Sequence, residues 1–260
     1  MHIMILMGLA LSVITLFYGV PDLWDNAGVY LDGRSFLFVF GGALGATMIS
    51  ITPKEFLSII KILTGYMFIT SKALNNYDVV YTLIEISEVA NRSGKEAVLD
   101  MGKALGDGFL DRALVLMGAG LERSFVQTVL ETDIFEEKSR HAQMIVFIRT
   151  MGSSGPMFGM LGTVMGIMKV LQNVTDIDSV VSGMGLALLT TMYGLILSAV
   201  YFIPLANRLK RMNDENALTK EIIMEGVLAI MDDNIPLMVE KKLLAYLQSK
   251  DKRNKKEVKR

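Results

Sequence analysis

Two blocks of this sequence, 3–20 and 35–52, contain no charged side chain; 180–205 contains none either, and 150–171 only Lys169. Nothing else in the chain constrains its fold as tightly. At about 1.5 Å per residue, each block as a helix covers most or all of a hydrocarbon core about 30 Å thick. Helices buried in a soluble core would be the alternative for one such block. Four in one chain argue for membrane spans. The first block also has the length of a cleaved leader, but no basic residues precede it and Tyr18–Pro21 offers no run of small residues for cleavage, so it reads as a retained anchor.

Charge beside the blocks orients them. Residues 21–34 hold Asp22, Asp25 and Asp32 against Arg34 alone, and the turn 173–179 holds Asp176 and Asp178 with no basic residue. Lys54, Arg208, Lys210 and Arg211 flank the opposite ends. Basic residues stay on the cytoplasmic side, which puts both termini and the loop 53–143 inside. Trp24 and Tyr30 suit the outer interface. The resulting fold class is an all-α membrane protein with four transmembrane helices, a large helical cytoplasmic loop between spans two and three, and a helical cytoplasmic tail. Its divisions are 1–52 (first hairpin), 53–143 (cytoplasmic helical domain), 144–206 (second hairpin) and 207–260 (cytoplasmic helices and basic tail).

The loop of about 90 residues is too long to be a simple connector. Val79, Leu83, Ile86 and Ala90 recur at helical spacing, as do Leu110, Leu114, Met117 and Leu121, with Gly94 and Gly106–Gly108 as breaks. Composition removes other classes. The chain is 52% apolar and carries a net charge of −1, which excludes a disordered chain and offers no basic field for nucleic acid. With no cysteine and two histidines, disulfides and thiolate zinc are out and a histidine metal cluster is not expected. No nucleophile–base set, phosphate loop or metal spacing marks an enzyme, so no catalytic residue and no cofactor are expected.

The second hairpin carries the chemistry. Gly152, Gly155, Gly159, Gly162 and Gly166 make one face of span three nearly bare backbone, and Gly183, Ala187, Gly194 and Ser198 do the same on span four. Such faces allow close helix packing, within one subunit or around helices of a second protein. Pro156 and Thr163 share a face of span three; Thr190 and Thr191 stand in mid-span four, and Pro204 near its inner end. No Asp or Glu lies within the four blocks. An ion path generally needs a membrane carboxylate, so here a partner would have to supply it, while hydroxyls and freed carbonyls could replace water around a small cation.

The stretches GPMFGMLGTVMGIMKVLQN (155–173) and GLALLTTMYGLILSAVYFIPLANRL (185–209) resemble the A subunit of bacterial flagellar stators, the MotA/PomA family. The tail MEGVLAIMDDNIPLMVEKKLLAYL (224–247) and, more loosely, RHAQMIVFIRTMG (140–152) and NRSGKEAVLD (91–100) extend the likeness over essentially the whole chain. The resemblance implies a pentamer of A subunits in the inner membrane around a dimer of B subunits, each with one helix bearing an ion-carrying aspartate. Ion flow would turn the ring against the rotor protein FliG. It further implies that Pro156 and Pro204 are the family's functional prolines and that Thr163, Thr190 and Thr191 line the ion path. Gly155, Gly159, Gly162, Gly166 and Gly194 would pack around the partner, and Arg92 and Asp100 would face the rotor. The Thr190–Thr191 pair matches the sodium-driven branch, with proton coupling as the alternative. Ser153 departs from the family, which commonly has an acidic residue there. Two other readings stay open: a related ExbB/TolQ-type energiser of outer-membrane processes, and a scaffold that conducts nothing.

Overall fold

The protein, seen here as a computed structural model, is described over residues 2–19, 27–68, 75–105 and 108–247, and among these no strand occurs. In chain order the helices are α1 His2–Gly19, α2 Ala27–Tyr30, α3 Gly33–Met48, α4 Pro53–Phe68 and α5 Asn76–Ser93. A 3₁₀ run, Lys95–Leu105, leads to α6 Phe109–Gly118 and α7 Arg123–Gln172. Then come α8 Ile177–Ile196, a π-helical segment Leu197–Phe202, α9 Ile203–Met231 and α10 Pro236–Leu244. Asp22, Trp24, Asp25, the Gly106–Asp107 break and the tail 250–260 lie outside the described residues. The chain forms two compact units, Met1–Phe68 with Gln143–Lys210 and Ile69–Ala142 with Arg211–Arg260.

In the first unit, helix ends follow local chemistry. Asp32 caps α3: its carboxylate accepts the Ser35 N–H at 2.8 Å and the Ser35 hydroxyl at 2.5 Å, which holds its pKa below the usual carboxylate value. The second apolar block runs to residue 52, but α3 stops at Met48. The Thr52 N–H donates to Glu55 Oε2 at 2.7 Å and the Glu55 N–H to Thr52 Oγ1 at 3.3 Å, a reciprocal cap that starts α4 as a new helix.

The third and fourth blocks are parts of much longer helices. α7 runs for 50 residues, and Ile177–Met231 is one continuous helix of 55 residues. Between Arg123 and Thr150 no Gly or Pro interrupts the helix, so charge appears on α7 without stopping it. Among the described residues these are the two helices long and apolar enough to cross a membrane. Met144, Ile148 and Met151 of α7 pack with Phe202, Ala206 and Leu209 and with Ile59 of α4.

The second unit buries the apolar faces of its helices around Val79, Leu83 and Ile86 of α5, Leu110, Leu114 and Met117 of α6, and Ile222 and Val227 of α9. Leu121 breaks its predicted series. α6 ends at Gly118, Gly120 turns with φ +67°, and Leu121 is left exposed. Gly94 ends α5 in the same way, at φ +87°.

Polar contacts tie α7 to α9 in this unit. The Lys220 ammonium lies 2.6 Å from Glu137 and 5.2 Å above the Phe109 ring, and the Asn213 amide donates to the Lys138 carbonyl. His141 sits beside them. Burial pushes its imidazole below the ordinary 6.5, helped by Arg140 and Lys220 and opposed by Glu137 and a hydrogen bond with Asn213. The folded unit therefore favours the neutral ring. This contribution to stability is complete above about pH 6.5 and declines as pH falls from there through the lowered folded value, because the unfolded chain takes up the proton first. A thermal melt of the purified protein should show a midpoint that drops from pH 7 to about pH 5.5, with a shallower drop in His141→Gln. Equal slopes in the two proteins would count against this account.

Candidate ion path in the second hairpin

Glycine brings α7 and α8 into backbone contact. A Cβ on Gly155 would lie 3.1 Å from the Gly194 carbonyl oxygen, one on Gly159 3.0 Å from that of Thr190, and one on Gly194 2.5 Å from that of Gly155. On Gly162 it would overlap the Thr190 side chain, and on Gly166 the Gly183 carbonyl. The stripe Gly155, Gly159, Gly162, Gly166 and its counterpart Gly194 are thus filled by the chain's own hairpin.

At this seam three hydroxyls converge on one carbonyl. Thr163 Oγ1 donates to the Gly159 oxygen at 3.0 Å and lies 3.0 Å from Thr191 Oγ1. Thr191 Oγ1 is 3.3 Å from the same carbonyl and 3.1 Å from that of Ala187. Thr190 Oγ1 reaches it at 3.4 Å but sits closer, 2.8 Å, to the Leu186 carbonyl in its own preceding turn. A hydroxyl has one proton and two lone pairs, so each donates to one of these acceptors at a time. Burial separates the three: Thr190 is wholly enclosed, whereas Thr163 and Thr191 are half-buried and open to the hairpin surface. The pair can therefore present oxygen lone pairs to something outside the subunit, and Thr190 shapes the seam from within.

The prolines lie beyond this group on the same two helices. Pro156 stands inside α7, where it cannot donate to the Gly152 carbonyl. Pro204 follows the π-helical segment, whose last bond runs from the Ile203 N–H back five residues to the Ser198 carbonyl. The wider turn meets a residue that has no N–H to give. Ser153 is exposed, and its hydroxyl is bonded to the Thr150 carbonyl. Arg149 donates to Asn207 at 2.9 Å, and Lys169 to Ser182 at 2.9 Å. In the second unit Arg92 lies in the last turn of α5 and Asp100 in the 3₁₀ run, both exposed. Among the described residues no three His, Cys, Asp or Glu side chains gather as a metal site.

Sequence reasoning missed Tyr193. Its hydroxyl contacts the backbone of Tyr30 and Asp32 from α8. The available signal was a tyrosine in an otherwise apolar run; Asp32 was legible only as a loop charge.

Two long apolar helices sealed face to face by glycine, with hydroxyls at their seam, are the architecture of a helical membrane subunit. Residues 102–222 match the MotA/TolQ/ExbB proton channel family. The chain is 32% identical to the chemotaxis protein PomA of Vibrio alginolyticus over 86% of its own length and 87% of that protein. It is 30% identical to motility protein A of Borreliella burgdorferi, covering 86% of each chain. The chain belongs to the MotA/TolQ/ExbB proton channel family. Its fold is similar to that of C. jejuni MotAB (TM-score 0.85, 22% identity, 96% of this chain and 97% of that one). The flagellar MotAB stator complex of Bacillus subtilis is also similar, with TM-score 0.81, 25% identity and 94% of each chain covered.

Proposed function

We infer that this chain is the A-type subunit of a flagellar motor stator, which converts ion flow into torque. The observation that carries this reading is its likeness to PomA along nearly the full length of both chains; the half-buried Thr163–Thr191 pair supplies a chemical counterpart. The relatives named for motility favour it over the ExbB/TolQ alternative. On this reading 1–52 and 144–206 are membrane hairpins, four spans in all, in the bacterial inner membrane. The parts 53–143 and 207–260 face the cytoplasm, as do both termini. Five copies surround a dimer of B-type subunits, whose intramembrane Asp residues carry the ion past Thr163 and Thr191, with Thr190 buttressing them from inside the hairpin. Pro156 and Pro204 serve as the points where the spans flex, and Arg92 and Asp100 meet the rotor protein FliG. One charge crossing 100 mV releases about 2.3 kcal/mol, so sustained torque needs many passages.

Sodium is the favoured ion, because a pair of facing hydroxyls offers oxygen ligands to a cation, whereas a proton can travel on a carboxylate alone. Rotation measured across sodium concentrations at constant proton-motive force tests this. Speed should rise with sodium and saturate. Rotation that ignores sodium but follows pH would assign the proton instead, and the absence of rotation with any B subunit would remove the stator reading.

A further inference from the structure

One hydroxyl ties the outer link of the first hairpin to the fourth span. Tyr193 Oη donates to the Tyr30 carbonyl at 2.6 Å and accepts the Asp32 N–H at 2.9 Å. Tyr30 ends α2 and Asp32 caps α3, so these are backbone groups that helix ends leave in need of partners. The Tyr193 ring meets Phe36 edge-on at 5.8 Å, and Phe36 stacks on Phe40 at 5.6 Å. The tyrosine is therefore fixed at both its ring and its tip.

Its place on α8 makes this consequential. Tyr193 follows Thr191 by two residues and adjoins Gly194, whose backbone lies against Gly155. The segment 190–194 is thus held by α7 on one side and by the α2–α3 link on another. Glycine contacts alone permit close approach but have no side chain with which to resist rotation or sliding of one helix over the other. A hydroxyl that both donates and accepts is directional and fixes rotation as well as height. The Thr163–Thr191 separation of 3.0 Å needs such restraint, since a hydrogen bond weakens steeply once its geometry is lost.

We propose that Tyr193 is a positioning residue for the ion path: its bridge to Tyr30 and Asp32 sets the rotation of α8 that brings Thr191 onto Thr163. For its functional readout this rests on the stator reading above. Tyr193→Phe keeps the ring packing and removes only the bridge. In the full complex with its B subunit, the variant should accumulate and assemble like the wild type. Its half-saturating concentration of the coupling ion should shift about threefold or more, the scale of a single lost hydrogen bond. Tyr18→Phe, on an exposed position of α1, should leave the curve unmoved. A Tyr193→Phe curve that overlays the wild type at equal abundance overturns the proposal. If the variant does not accumulate, amide exchange in the wild-type complex decides: slow exchange at Asp32 supports the bridge, and exchange at open-chain rates overturns it. A wild-type complex that drives no rotation would fail the stator reading instead, and the exchange measurement would still judge the bridge.

Discussion

Gly166→Ala will lower both the abundance and the thermal midpoint of the protein, although alanine is the better helix former. A methyl at this position overlaps the Gly183 carbonyl and falls 2.8 Å from Ala187 Cβ and 2.9 Å from the Ala187 nitrogen. Those neighbours are backbone and near-backbone atoms, which cannot rotate away as a side-chain tip can. Relief requires α7 and α8 to separate, which loosens the contacts at Gly155, Gly159 and Gly162 along the same seam. Overpacking of a tight interior costs about 1–3 kcal/mol, more than the roughly 0.5–1 kcal/mol that alanine gains over glycine in helix formation. Gly45→Ala provides the control, because a Cβ there meets nothing within 4 Å. It should be neutral or slightly stabilising. Membrane abundance and melting of the purified complex measure both variants, and equal behaviour of the two would contradict the close-packed hairpin.

Thr191→Ala, by contrast, should abolish most rotation while leaving the protein in place. The substitution removes the hydroxyl that faces Thr163 at 3.0 Å but retains a small side chain on the half-buried seam. Thr191 also bonds its own turn at Ala187, a contact whose loss relieves competition with the helix and costs little. If its oxygen takes part in passing the ion, rotation should fall at least about tenfold, equivalent to some 1.4 kcal/mol on the limiting step. Thr191→Ser restores the oxygen and should recover much of the speed. Rotation speed per assembled stator unit is the measurement that matters. A fall in abundance with unchanged speed per unit would identify Thr191 as a packing residue, as the non-conducting scaffold reading requires.

Much of the architecture was readable before any coordinates. Apolar runs with Lys169 as their single charge marked stretches that lie in α7 and in the helix beginning with α8, and the helical spacing of Val79, Leu83 and Ile86 anticipated a buried face of α5. Such patterns are legible because a solvent, lipid or water, acts on every residue of a face in the same way. Helix ends were less so. The reciprocal Thr52–Glu55 cap and the left-handed Gly120 override hydrophobic pattern locally, which is why α3 stops at Met48 and Leu121 falls outside α6. Within the candidate site, the sequence pointed to the three threonines but had no means of distinguishing them. They differ by where each oxygen points across a helix pair, and adjacent residues on a helix diverge by about 100°.

The sequence by itself determined the class of this protein: helical, rich in segments suited to lipid, with small-residue faces in the second hairpin and no carboxylate in its four apolar blocks. Those properties reside in residue type and spacing, which need no partner to be read. Tertiary structure alone decided which surfaces the glycines cover and that Thr190 is enclosed while Thr163 and Thr191 remain open. It also decided that Tyr193 reaches Tyr30 and Asp32, more than 160 residues away in the chain. Contacts over such separations depend on how helices rotate about their axes when packed, and no local pattern encodes that angle.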